Sequence, residues 1–76
     1  MTQLKVKLTS IVDVQKFVNA VSKFVGDVDL QSGRYIVDAK SIMGIFSLDL
    51  MQPVDMTIHS DNAEELLADI KDFIIE

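Results

Sequence analysis

Apolar and polar residues alternate at the start of the chain, where Leu4, Val6 and Leu8 are separated by Lys5 and Lys7. A period of two is that of a half-buried strand, with both lysines on its solvent face. From Ile11 the period lengthens. Ile11, Val14, Phe17, Val18 and Val21, with Phe24 or Val25 beyond them, recur at the three-and-four spacing of an amphipathic helix that Gly26 ends. Ser10 and Asp13 stand where a capping box opens such a helix: Ser10 accepts the amide three residues on, and the Asp13 carboxylate reaches back. Valine is a mediocre helix former, so this helix depends on its packed face.

Alternation returns in Asp27 to Leu30 and again in Tyr35 to Ala39, on either side of Gln31-Ser32-Gly33-Arg34, and this predicts a hairpin. A short helix, opened by Ser41, is expected between Lys40 and Leu50. A fourth strand follows, with Val54, Met56 and Ile58 on one face and Asp55, Thr57 and His59 on the other. The last element reads as one helix whose stripe is Ala63, Leu66, Leu67, Ile70, Phe73 and Ile74, with Glu64 and Glu65 near its positive end. The order is βαββαβα over a single domain, residues 1–76, without repeat or linker. Two long amphipathic helices against four half-polar strands imply an α+β two-layer sandwich with one sheet face covered and the other wet. Lys5, Lys7, Asp27, Asp29, Asp55, Thr57 and His59 fall on the wet face.

The helix from Lys40 to Leu50 is apolar on nearly every side, more so than a two-turn helix can bury. Ile45 and Leu48, three apart, are assigned to the core. Ile42, Met43 and Phe46 are then left as an exposed patch, in which methionine and an aromatic suit adaptable contacts.

Composition narrows the function classes. Hydrophobic residues make up 49% of the chain, with one proline and three glycines, as a packed core requires. There is no cysteine, hence no disulfide or thiolate chemistry. The net charge of −5, with scattered lysines, argues against nucleic-acid binding. No apolar run approaches the roughly 20 residues of a membrane-spanning helix, and the first residues alternate instead of forming a signal peptide's apolar centre. A cytoplasmic location is expected. No convergent acid, base or metal set and no phosphate loop is visible, so neither an enzyme nor a cofactor or metal site is expected.

At Lys40-Ser41-Ile42-Met43-Gly44 the chain resembles HPr, the histidine-containing phosphocarrier of the bacterial sugar phosphotransferase system. Ser22-Lys23-Phe24, Ser47-Leu48 and Met56-Thr57-Ile58 match the same family at the same spacing, and the likeness runs from about Asn19 to Leu66. The resemblance implies an open-faced, four-stranded antiparallel sheet in the order 1-4-2-3, with the helices on one face. In that family a His-Ala-Arg-Pro segment at the start of the first helix carries the phosphohistidine. Counting back from Ser22-Lys23-Phe24, the segment falls on Ser10-Ile11-Val12-Asp13. Serine thus stands in place of histidine, Val12 in place of arginine and Asp13 in place of proline. An imidazole nitrogen takes and releases a phosphoryl group at neutral pH, whereas a serine ester is too stable for rapid relay. Val12 cannot neutralise a phosphate, and Asp13 repels one. His59, the only histidine, lies near the end of the fourth strand, away from Ser10, and reads as a solvated strand residue.

For Ser41 the resemblance implies the family's other modification, phosphorylation by a dedicated ATP-dependent serine kinase. The modified protein then binds a lactose-repressor-like transcription factor. A phosphate at the first position of a short helix meets outward-pointing amides, and Lys40 adds a positive charge. The plain alternative is that Ser41 only caps its helix, as Ser10 caps the first. Two readings stand: a regulatory HPr-like protein that signals through Ser41 to the kinase, the transcription factor and phosphotransferase components; or an unmodified interaction module with the same fold, as a homodimer for example.

Overall fold

The alternating segments become strands of one antiparallel sheet in the computed structural model of the chain, which describes residues 1–75. In order, the elements are β1 (Thr2–Val6), α1 (Ile11–Ser22), β2 (Val28–Ser32), β3 (Tyr35–Asp38), α2 (Ile42–Phe46), β4 (Val54–Ile58), α3 (Glu64–Asp69), a 3₁₀ turn (Lys71–Phe73) and β5 (Ile74–Ile75). The strand order is β3-β2-β4-β1-β5, all antiparallel. The first four strands reproduce the expected 1-4-2-3 arrangement, and β5 is an addition beside β1, making five strands where four were expected.

Period-two alternation sends Val6, Leu30, Met56 and Ile58 to the covered face, where all four are fully buried. They meet Val14, Phe17 and Val21 of α1, and Leu66 and Ile70 from the C-terminal segment. Each such side chain contributes about 1.5 to 3 kcal/mol by leaving water. Phe17 also packs edge-on against Phe73, with ring centroids 6.2 Å apart and an interplanar angle of 79°. No polar or charged residue is buried among the described residues, so the core rests on apolar packing. On the open face Lys5 and Asp55, directly opposite across β1 and β4, pair at 3.0 Å; an exposed pair of this kind contributes ~0 to 1 kcal/mol.

The expected single last helix is a composite. α3 ends at Asp69, the backbone leaves the helical region at Ile70 (φ −109°, ψ 11°), and Ile74 and Ile75 pair with Val6 and Lys5. An i, i+3 apolar spacing persists through a 3₁₀ turn and so imitates a continued helix. The free rim of β1 captures two β-branched residues that sequence spacing alone cannot assign to a strand. α1 stops at Ser22 rather than running on toward Gly26. Ile11, assigned to its buried stripe, is 64% exposed, because the helical face that carries Val14, Phe17 and Val21 has turned away from it.

Candidate functional site

α2 is five residues long, shorter than the two turns expected, and is extended to Leu48 only by three-residue turns in which Ser47 and Leu48 donate to Gly44 and Ile45. Ser41 precedes it in extended conformation (φ −103°, ψ 107°), and its hydroxyl oxygen accepts the Gly44 amide at 3.1 Å. This is an N-cap, and it satisfies one amide that the helix leaves without an internal partner. Glycine at position 44 permits a close approach. A Cβ there would lie 3.2 Å from both Ser41 Oγ and Val37 Cβ, so α2 sits directly against β3.

Ile45 is fully buried and Leu48 nearly so, as their spacing predicts. Met43 is 79% exposed and Phe46 45%. Ile42 departs from the expected patch: it is half-buried and packs against the core. Residues three apart share a helix face, which places Ile42 with Ile45, and Met43 with Phe46. The exposed apolar surface is therefore Met43 and Phe46, with Ile42 at its inner margin. Lys40 is half-buried, and its ammonium donates to the Phe24 carbonyl at 2.8 Å, tying the entry of α2 to the end of α1. That long-range tie left no sequence signal.

Ser10 caps α1 in the same way, accepting the Asp13 amide at 3.1 Å. The reciprocal bond differs from a capping box. The Asp13 carboxylate accepts the Thr9 hydroxyl at 2.8 Å and the Thr9 amide at 3.1 Å, one residue earlier than expected. These two Thr9 bonds hold the Asp13 carboxyl below its ordinary value, opposed by desolvation and assisted, to a lesser degree, by Ser10 and Lys16. Val12, 55% exposed, adds no charge. The start of α1 thus presents two hydroxyls and a fixed carboxylate.

His59 follows β4 at the end that pairs with Thr2 and Val28, whereas Ser10 follows β1 beyond the Val6–Val54 end of the same ladder. The sheet therefore separates them. His59 Nε2 lies 2.9 Å from Asp29 Oδ2 on the exposed face, a cross-strand contact that the spacing of the two residues did not reveal. Among the described residues no group of three His, Asp or Glu side chains is arranged to hold a metal ion, and no helix is long and apolar enough to cross a membrane. A surface concavity of about 550 Å³ lies between the end of α1 and the start of α3, and neither Ser10 nor Ser41 lines it.

Comparison with known proteins agrees with this geometry. A family model described as the PTS HPr component phosphorylation site matches residues 6–76. The solved structure of HPr-C-His from Thermoanaerobacter tengcongensis is 28% identical, with a TM-score of 0.79 over 95% of this chain and 89% of that one. The phosphocarrier protein HPr from Bacillus anthracis strain Ames is 26% identical, with a TM-score of 0.69 over 97% and 94%. A Mycoplasma histidine-containing phosphocarrier protein, 15% identical, shares the fold at a TM-score of 0.73 over 93% and 89%. With the family model spanning nearly the whole sequence and the strand order reproduced, the chain belongs to the HPr family of the phosphotransferase system.

Proposed function

We propose that this HPr-family chain does not relay a phosphoryl group through histidine and acts instead as a cytoplasmic regulatory protein switched at Ser41. The observation that carries the reading is the opening of α1. Ser10, Val12 and Asp13 occupy the relay segment, and the Asp13 carboxylate is held there by Thr9. A carboxylate that stays ionised opposes an incoming phosphoryl group, and no imidazole stands at the site to accept one.

Ser41 retains what a serine kinase requires. Its oxygen accepts the Gly44 amide through a lone pair, which leaves the hydroxyl proton free to depart when the oxygen attacks the γ-phosphorus of ATP and ADP leaves. Phosphate oxygens added there meet the same amide end of α2. Met43 and Phe46, with Lys40 and Ile42 at the margin, form the adjoining contact surface for protein partners: an HPr-type serine kinase, a lactose-repressor-like transcription factor, and phosphotransferase components. A second reading, an unmodified interaction module, draws on the same bond, because a serine engaged as a helix cap has a structural role without modification.

The two separate on incubation with ATP and an HPr-type serine kinase from the source organism, followed by peptide mapping by mass spectrometry. The regulatory reading expects one added phosphate, on Ser41, and none in Ser41→Ala. An unmodified Ser41 with a kinase active on its own HPr substrate leaves only the second reading.

A further inference from the structure

The sheet ends in two rims. β5, two residues long, lies beside β1 at one; β3 forms the other, and among the described residues nothing pairs with its outer side. The bond from the Ala39 amide to the Val28 carbonyl, at 2.8 Å, decides which backbone groups that rim exposes. With Leu30 opposite Val37 and Ser32 opposite Tyr35, alternation directs the amides and carbonyls of Tyr35, Val37 and Ala39 toward β2. Those of Ile36 and Asp38 therefore point away from the sheet, although the Asp38 carbonyl already accepts the Ser41 amide at 3.0 Å.

An open edge normally carries a lysine, a proline or a bulge that discourages further pairing. Tyr35-Ile36-Val37 carries none of these, and Tyr35 and Ile36 are 69% and 62% exposed. Arg34 and Asp38 flank the segment. The ion pairs among the described residues are Met1–Asp61 and Lys5–Asp55, beside the His59–Asp29 contact, so among the described residues neither flanking charge has an opposite partner. Gly33 takes φ +59° and Arg34 has no positive φ. That combination is a tight type II′ turn, and it sets the Arg34 side chain at the very end of the edge.

We propose that two copies of this chain pair edge to edge through β3, antiparallel and two-fold symmetric, with Ile36 opposite Ile36 of the partner subunit. The outward backbone groups restrict antiparallel pairing to registers that place even-numbered residues opposite one another. A shift of two residues one way leaves Asp38 beyond the contact. The same shift the other way sets Asp38 against an isoleucine. Only the register centred on Ile36 also brings each Arg34 toward the partner's Asp38, so opposite charges meet at both ends. On the open face the two isoleucines then cover each other, and on the helix face Tyr35 stands across from the partner's Val37. Because the contact uses the same strand of both copies, it closes at two and does not propagate into a fibre.

A contact this short belongs to the weak class, so sedimentation equilibrium is run from micromolar into millimolar protein. The wild type is expected to show a monomer–dimer equilibrium. Ile36→Pro is expected to abolish it: the amide removed points outward, so the internal ladder survives. Arg34→Asp and Asp38→Arg, each alone, set like charges together and are expected to weaken association roughly tenfold. An equimolar mixture of these two variants restores opposite pairs and is expected to recover it. Wild-type amide resonances are expected to move on dilution at Ile36 and Asp38. A monomer throughout, a dimer that persists in Ile36→Pro, no recovery on mixing two variants with folded NMR spectra, or dilution shifts centred on Met43 and Phe46 would each overturn the proposal.

Discussion

Ser41 is asked to do two things, cap α2 and accept a phosphate, and paired substitutions separate them. Ser41→Ala removes the acceptor 3.1 Å from the Gly44 amide. The site is half-buried, so water replaces the lost bond only in part. Loss of an N-cap costs about 1 kcal/mol, within a range of about 0.5 to 2. For a domain of 76 residues that corresponds to a fall in melting temperature of about 4 to 8 °C, or of about 1 M in the urea midpoint at a slope near 1 kcal/mol/M. Ser41→Asp keeps an acceptor and places a negative charge where the α2 amides converge. α2 is only five residues long, so the dipole adds at most a few tenths of a kcal/mol. Ser41→Asp is therefore expected within about 0.5 kcal/mol of wild type, well above Ser41→Ala. Urea and thermal denaturation followed by circular dichroism measure both. Equal stability of Ser41→Ala and wild type would show that the cap bond contributes nothing in solution. A loss in Ser41→Asp as large as in Ser41→Ala would show that the position does not accommodate an anion, and would remove the physical basis for a phosphoserine there.

Other expectations follow from the core and from the start of α1. Phe17→Ala empties a fully buried site beside Phe73 and is expected to lower unfolding free energy by about 3 to 5 kcal/mol; a loss below about 2 kcal/mol would mean that α1 collapses into the space. Gly44→Ala would gain about 1 kcal/mol from helix propensity in open surroundings. Its Cβ instead meets Val37 and the capping hydroxyl at 3.2 Å, so a lower melting temperature is expected, and a higher one would show that α2 moves freely off β3. The Asp13 carboxyl is held below its ordinary value of 3.8 by Thr9. The folded state therefore binds fewer protons than the unfolded one, and the contribution to stability is present above that value and lost as pH falls through the folded pKa. An NMR titration of the Asp13 carboxyl is expected to give a midpoint below 3.8; a midpoint at or above it would show that the Thr9 bonds are not maintained.

Most of the fold was legible because strong periodicity and burial coincide. The Leu4-Val6-Leu8 alternation, the Val14-Phe17-Val21 stripe and the Val54-Met56-Ile58 strand all took the faces their spacing required. The C-terminal stripe misled because spacing does not separate an α-helix from a short helix, a 3₁₀ turn and a strand in succession. What redirects Ile74 and Ile75 is the open rim of β1, a partner some seventy residues away in the chain. At α2, treating Ile42 as exposed overlooked its three-residue spacing from Ile45. The bond that ties the entry of α2, Lys40 to Phe24, and the His59–Asp29 contact on the open face join segments far apart in sequence and have no periodic signature.

Loss of phosphoryl relay in a chain that keeps the HPr fold is the proposal on which the rest depends. It is tested most directly by offering the protein phosphoenolpyruvate and the phosphotransferase system's first enzyme, with phosphorus NMR reading the product. Imidazole phosphoramidates are acid-labile and distinct from serine esters. No phosphoramidate signal is expected from this chain while a histidine-bearing HPr in the same tube is fully modified. A phosphoramidate on His59, abolished in His59→Ala, would contradict it.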